Sequence, residues 1–235
     1  ITARGGLQGG DGGLIETSGH SLDVAEIKVN ASAPNGKSGT WLLDPNNITI
    51  QAAGAETNVT ASPNFISTND NAIVTTATIQ TALNAGSNVV IATSTGGTKA
   101  QAGDINVNDT LTWTHAGGPT LTLNAANDIT VSAAITATTG SFAATAGRDV
   151  NINVATKTTT GNLTFTAVRD VNVTAATTVV TGNLTSVAGG NVNVSAASTI
   201  TTGNLTSVAG GNVNVSAAST ITTGDMIFRA DNDGT

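Results

Sequence analysis

The residues best suited to chemistry in this sequence are acids and bases that recur at a fixed interval. Asp128, Asp149 and Asp170 follow one another at 21-residue spacing, Asn191 and Asn212 continue the series, and Arg148 and Arg169 immediately precede two of the aspartates. Carboxylates stacked one strand spacing apart, about 5 Å, would bind a divalent cation, raise one another's pKa or act with arginine on an acidic polysaccharide. Against that chemistry stands the drift of the column into asparagine, since Asp and Asn both suit tight corners. A structural corner is therefore the first reading. Asp128, Asp149, Asp170, Arg148 and Arg169 are retained as a candidate surface column for a cation or a glycan.

The remaining polar candidates are weaker. His20 lies inside "ETSGHSLDV" and His115 follows Trp113 and Thr114. Neither has a partner at metal-ligand spacing, so each reads as a turn or surface residue. "GGDGG" (Gly9–Gly13) has the flavour of a calcium-binding nonapeptide but stands as a single copy. Asn-x-Ser/Thr occurs at Asn30, Asn47, Asn58, Asn108, Asn162, Asn172, Asn183, Asn193, Asn204 and Asn214. Of these, Asn172, Asn193 and Asn214 face outward, where stacked asparagines would form a hydrogen-bonded ladder. Threonine runs such as "KTTTG" and "TITTG" suggest the flat hydroxyl arrays of ice-binding solenoids, but Thr156, Thr177, Ser198 and Ser219 change identity along the chain. The expectation is that no flat Thr-x-Thr face is sustained. No catalytic, cofactor-binding or metal-ligating residue is assigned, and no cofactor is expected.

These residues sit on a repeat. "GNLTSVAGGNVNVSAASTITT" runs from Gly182 to Thr202 and appears again from Gly203 to Thr223. Apolar columns accompany it: Leu121, Phe142, Leu163, Leu184, Leu205 and Met226; Ile129, Val150, Val171, Val192 and Val213; Val131, Ile152, Val173, Val194 and Val215. Between the last two columns lie Thr130, Asn151, Asn172, Asn193 and Asn214. Apolar–polar–apolar alternation marks strands with one buried face. About three such runs per coil, with Gly, Asn or Asp between them, predict an all-β parallel β-helix, a solenoid of about 21 residues per coil in the C-terminal half. A coil cannot bury its own apolar face, so a duplicated segment adds a rung that matches its neighbours.

Three regions follow from the pattern. Residues 1–50 read as β-helix coils ending in the "WLLDP" motif, 51–118 as irregular coils carrying a side excursion, and 119–235 as regular repeats. Within the middle region "TIQTALNAG" reads as a short helical turn, with Thr78 as N-cap and Gly86 as stop. Trp41, Leu42 and Leu43 read as a core plug or cap contact, and Asp44–Pro45 as a turn.

Composition narrows the function classes. Only 10% of residues are charged and the net charge is −7, with no basic patch to neutralise phosphates, so nucleic acid is not an expected partner. Hydrophobic residues make up 39% in a regular pattern, which argues against disorder. There is no cysteine, which removes disulfides and thiolate metal sites. No run approaches the ~20 apolar residues of a membrane span. The opening "ITARGG" has neither methionine nor signal peptide and reads as a piece of something longer.

"GGDGGLIETSGHSLDV" followed by "APNGKSGTWLLDPNNITI", then "TIQTALNAGSNVVIATS", "GDINVNDTLTW" and "LTLNAANDITVSAAI", resembles the filamentous-haemagglutinin-like exoproteins of two-partner secretion, of the high-molecular-weight adhesin type. The resemblance covers roughly residues 5–150. It implies a right-handed parallel β-helix forming a secreted or cell-surface fibre of a Gram-negative bacterium, exported through an outer-membrane β-barrel transporter and used for attachment to host cells or other surfaces. The N-terminal secretion domain is not recognisable in this stretch. Because some adhesins of this type are glycosylated at Asn-x-Ser/Thr, the resemblance makes Asn172, Asn193 and Asn214 candidate sugar acceptors, and it leaves the host receptor or glycan unidentified. Two alternatives stay open: the stalk of a contact-dependent growth-inhibition toxin, and a carbohydrate-active β-helix enzyme.

Overall fold

A computed structural model describes residues 1–18, 27–44, 47–52, 72–93 and 102–231. Among the described residues the chain is a parallel β-solenoid with one short helix, built from three sheets of nine, eight and six strands. Each regular coil contributes one strand to each sheet in turn. The coil that starts at Leu163, for example, runs through Leu163–Ala167, Val171–Val173 and Thr177–Thr181 before the next begins at Leu184. The first sheet extends from Leu14–Ser18 to Met226–Arg229, and the third from Leu111–Trp113 to Ser219–Thr223.

Register follows the sequence columns. Leu163 pairs with Leu184 and Leu184 with Leu205, while Val171 pairs with Val192 and Val192 with Val213. Stacking like on like, about 4.8 Å apart, fuses the inward columns into one thin core. Phe142 and Phe165 meet edge to face within it, ring centroids 6.1 Å apart. Trp41 is fully buried, as a core plug requires; the side chains of Leu42 and Leu43 lie outside the described residues. The second-sheet strands are short, Val171–Val173 for example, because the following residues turn the corner.

One corner of each regular coil is closed by glycine. Gly140, Gly161, Gly182, Gly203 and Gly224 have φ between +114° and +140°. An ideal Cβ on Gly203 would fall on the carbonyl oxygen of Gly182, the glycine of the coil below. The column is invariant because the backbones meet there.

The helix α1 spans Thr76–Asn84, and the sequence reading places its start three residues late. Thr75, not Thr78, is the N-cap: its Oγ1 accepts the backbone N–H of Thr78. Thr78 lies inside the first turn and is itself buried. Gly86, with φ +86°, closes the C-terminus as expected, its N–H donating to Leu83 O and that of Ser87 to Ala82 O. The helix packs beside the first strand of the third sheet, Leu111–Trp113. There the backbone N–H of Thr112 donates to Gln80 Oε1 at 2.7 Å and that of Thr114 to Asn84 Oδ1 at 2.9 Å. Gln80 and Asn84 are one helical turn apart, so both carboxamides face the strand edge. The strand Ala72–Thr75 leading into α1 pairs with Ile48–Gln51 in the second sheet; what joins them falls outside the described residues.

Candidate functional site

The aspartate column lies at the corner between the first and second sheets. In each rung the side-chain oxygen accepts the backbone N–H of the rung above. Asp128 Oδ1 accepts from Asp149 N (3.1 Å), Asp149 Oδ1 from Asp170 N (3.2 Å), Asp170 Oδ1 from Asn191 N (2.7 Å) and Asn191 Oδ1 from Asn212 N (3.0 Å). The ladder begins earlier than the 21-residue series, because Asn47 Oδ1 accepts from Asp104 N and Asp104 Oδ1 from Asp128 N. Only a side-chain oxygen is needed, so Asp and Asn serve alike. That explains the drift along the column.

The arginines cross-link the aspartates. Arg148 Nε donates to Asp128 Oδ1 at 2.7 Å and its Nη2 engages Oδ2, while Asp149 Oδ2 lies 3.7 Å from Nε. Arg169 repeats this one coil up: a fork onto Asp149, with Asp170 at 3.6 Å. Burial pushes the Asp149 carboxyl up, but the Arg169 hydrogen bond, the Asp170 N–H and both guanidinium charges outweigh it and hold it below the ordinary aspartate range. A depressed folded-state pKa stabilises the fold above the unfolded-state value, and that contribution is lost as pH falls through the folded-state value. Asp149→Asn should therefore cost stability at pH 7. The gap to wild type should close as urea titrations move below the pKa of a free aspartate, and a gap that stayed constant with pH would show that the charge of Asp149 does not contribute.

Among the described residues, no group of three or more His, Asp or Glu is placed to hold a metal ion. His115 sits in a turn: its N–H donates to Thr139 Oγ1, and Thr139 Oγ1 donates back to its carbonyl. His20 lies outside the described residues.

Two further ladders use asparagine. Asn172 Nδ2 donates to Asn151 Oδ1 (2.9 Å), Asn193 Nδ2 to Asn172 Oδ1 (2.8 Å) and Asn214 Nδ2 to Asn193 Oδ1 (2.8 Å), on the outer face of the second sheet. The candidate sugar acceptors thus have their amide nitrogens within a hydrogen-bonded file. The other ladder follows the glycine corner, where Asn162, Asn183 and Asn204 pass backbone N–H bonds upward to Asp225. Sequence reasoning does not assign this one, although the recurring Gly-Asn pair is its signal.

The threonine runs separate into inward and outward columns, and Thr-x-Thr is not kept through every rung, as expected. Thr156, Thr177, Ser198 and Ser219 form an inward column, and Thr177 Oγ1 and Ser198 Oγ are bonded to each other at 2.9 Å inside the core. The outward positions beside them carry threonine in most rungs, with breaks at Lys157 and Val180. One column reads Thr112, Thr136, Lys157, Thr178, Thr199, Thr220, and the next reads Thr138, Thr159, Val180, Thr201, Thr222. A third, Thr139, Thr160, Thr181, Thr202, Thr223, is unbroken. The sequence reading aligns the runs on the buried residue, one position from the exposed one.

No helix among the described residues is long and apolar enough to cross a membrane. Compared with models of known protein families and with curated proteins, the chain matches none.

Proposed function

We propose that this chain is a section of a large secreted bacterial surface adhesin of the filamentous-haemagglutinin type, whose work is mechanical: it projects and displays binding surfaces away from the cell. The observation that carries the reading is the residue-for-residue duplication of a coil within a register-matched stack. A rod lengthens by such duplication without loss of function, whereas a catalytic constellation gains nothing from a second copy of its scaffold. The aspartates that an enzyme would use are engaged by arginines and backbone amides at a corner, which supports a non-enzymatic reading. Lack of cysteine suits export of an unfolded chain through an outer-membrane transporter, the partner this reading implies.

The test is binding of the purified, monodisperse chain to cultured host cells, with an unrelated β-helix as control. Saturable binding makes this section an adhesive module; none makes it a spacer. Turnover of an acidic polysaccharide that Asp149→Asn and Asp170→Asn abolish would replace the proposal with an enzyme.

A further inference from the structure

We propose that the outer face of the third sheet is an ice-binding surface, with ordered water as its ligand. The inference is independent of the adhesin reading. It rests on the outward threonine columns and on what distinguishes them from the rest of the surface.

The first distinction is geometric. In-register parallel pairing sets Thr178 on Thr199 and Thr199 on Thr220. Within each strand, Thr199 and Thr201, or Thr220 and Thr222, are separated by one inward residue. The hydroxyls therefore form a grid of about 4.8 Å between strands and about 6.6 Å along them. Ice presents oxygen atoms at comparable repeats on its prism faces. Threonine is suited to template them, because its branched Cβ restricts χ1 and holds both a hydroxyl and a methyl in register.

The second distinction is availability. The asparagine files on the second sheet spend their amides on one another. Among the described residues the hydroxyls of Thr136, Thr178, Thr199 and Thr220 have no protein hydrogen-bond partner, so each is free to donate to and accept from water. The face also lacks what other ligands would need. Its outward columns carry one charge, at Lys157, and none of the exposed large apolar side chains lies on it, so there is no platform on which a sugar ring would stack. In the rungs of the duplicated segment the outer face of the first sheet is unlike it: there Thr185 and Thr206 alternate with Val187 and Val208.

The test measures ice recrystallisation inhibition and thermal hysteresis with the full chain and two double variants, each checked for wild-type circular dichroism. Thr199→Lys with Thr220→Lys disrupts the third-sheet face; Thr185→Lys with Thr206→Lys makes the same change on the first. The expected result is ice activity in the wild type, its loss in the third-sheet variant and its retention in the first-sheet variant. If the lysine pair fails to fold, Thr199→Val with Thr220→Val removes the hydroxyls while keeping their shape, and loss of activity is again expected. A folded wild type that leaves ice growth unchanged overturns the proposal, as does equal loss in the first-sheet variant.

Discussion

Val192→Asp is expected to lower the unfolding free energy by about 4–5 kcal/mol, among the largest effects a single substitution can have. Val192 is fully buried in the second sheet, paired with Val171 below and Val213 above. Aspartate there would bring a carboxylate into the file of apolar side chains, with no cation or donor to meet it. Because each coil is held by its two neighbours, the damage would reach both interfaces of the rung. Urea unfolding at pH 7 measures it. Asn193→Asp, one residue along and on the outer face, disturbs one ladder contact and should cost only about 1 kcal/mol. Similar effects at the two positions would mean that the inward and outward faces are misassigned.

Gly203→Ala carries the second large effect, about 3 kcal/mol or more, for two separable reasons. Its φ of +134° is one that side chains disfavour, and the added Cβ would meet the Gly182 carbonyl, which is backbone and cannot swing aside. Gly9 separates the two terms. It has φ +130° with nothing within 4 Å of an added methyl, so Gly9→Ala should show the conformational strain alone, about 1 kcal/mol. Thermal unfolding of both variants gives the comparison. Equal losses would remove the backbone clash as the reason for the glycine column.

The solenoid is legible because its period is written in side chains. Leu184, Val192 and Val194 recur as Leu205, Val213 and Val215, and parallel pairing in register follows directly. The corner role of Asp149 is legible too, since only a turn position tolerates both Asp and Asn. Three features are not. The N-cap of α1 falls on Thr78 in the sequence reading because Thr75 and Thr78 are chemically equal caps, and only the tertiary path decides between them. The arginine forks depend on which neighbouring rung a long side chain reaches, which spacing alone does not fix. In "STITT" four hydroxylic residues share one strand, so alternation loses its apolar marker and the outward face cannot be told from the inward one until Ile200 is seen to be buried.

The contact between α1 and the strand Leu111–Trp113 gives the third sheet the character of a polymer with one blocked end. Gln80 and Asn84 occupy amides that a further strand would need, so no strand can add on that side without first displacing the helix. Propagation of this sheet is thereby one-way, toward higher residue numbers. The helix is also the most local element among the described residues and closes without waiting for distant partners, whereas a rung needs a neighbouring rung to pair with. A seed that forms early and caps one edge would set both the starting point and the direction of assembly.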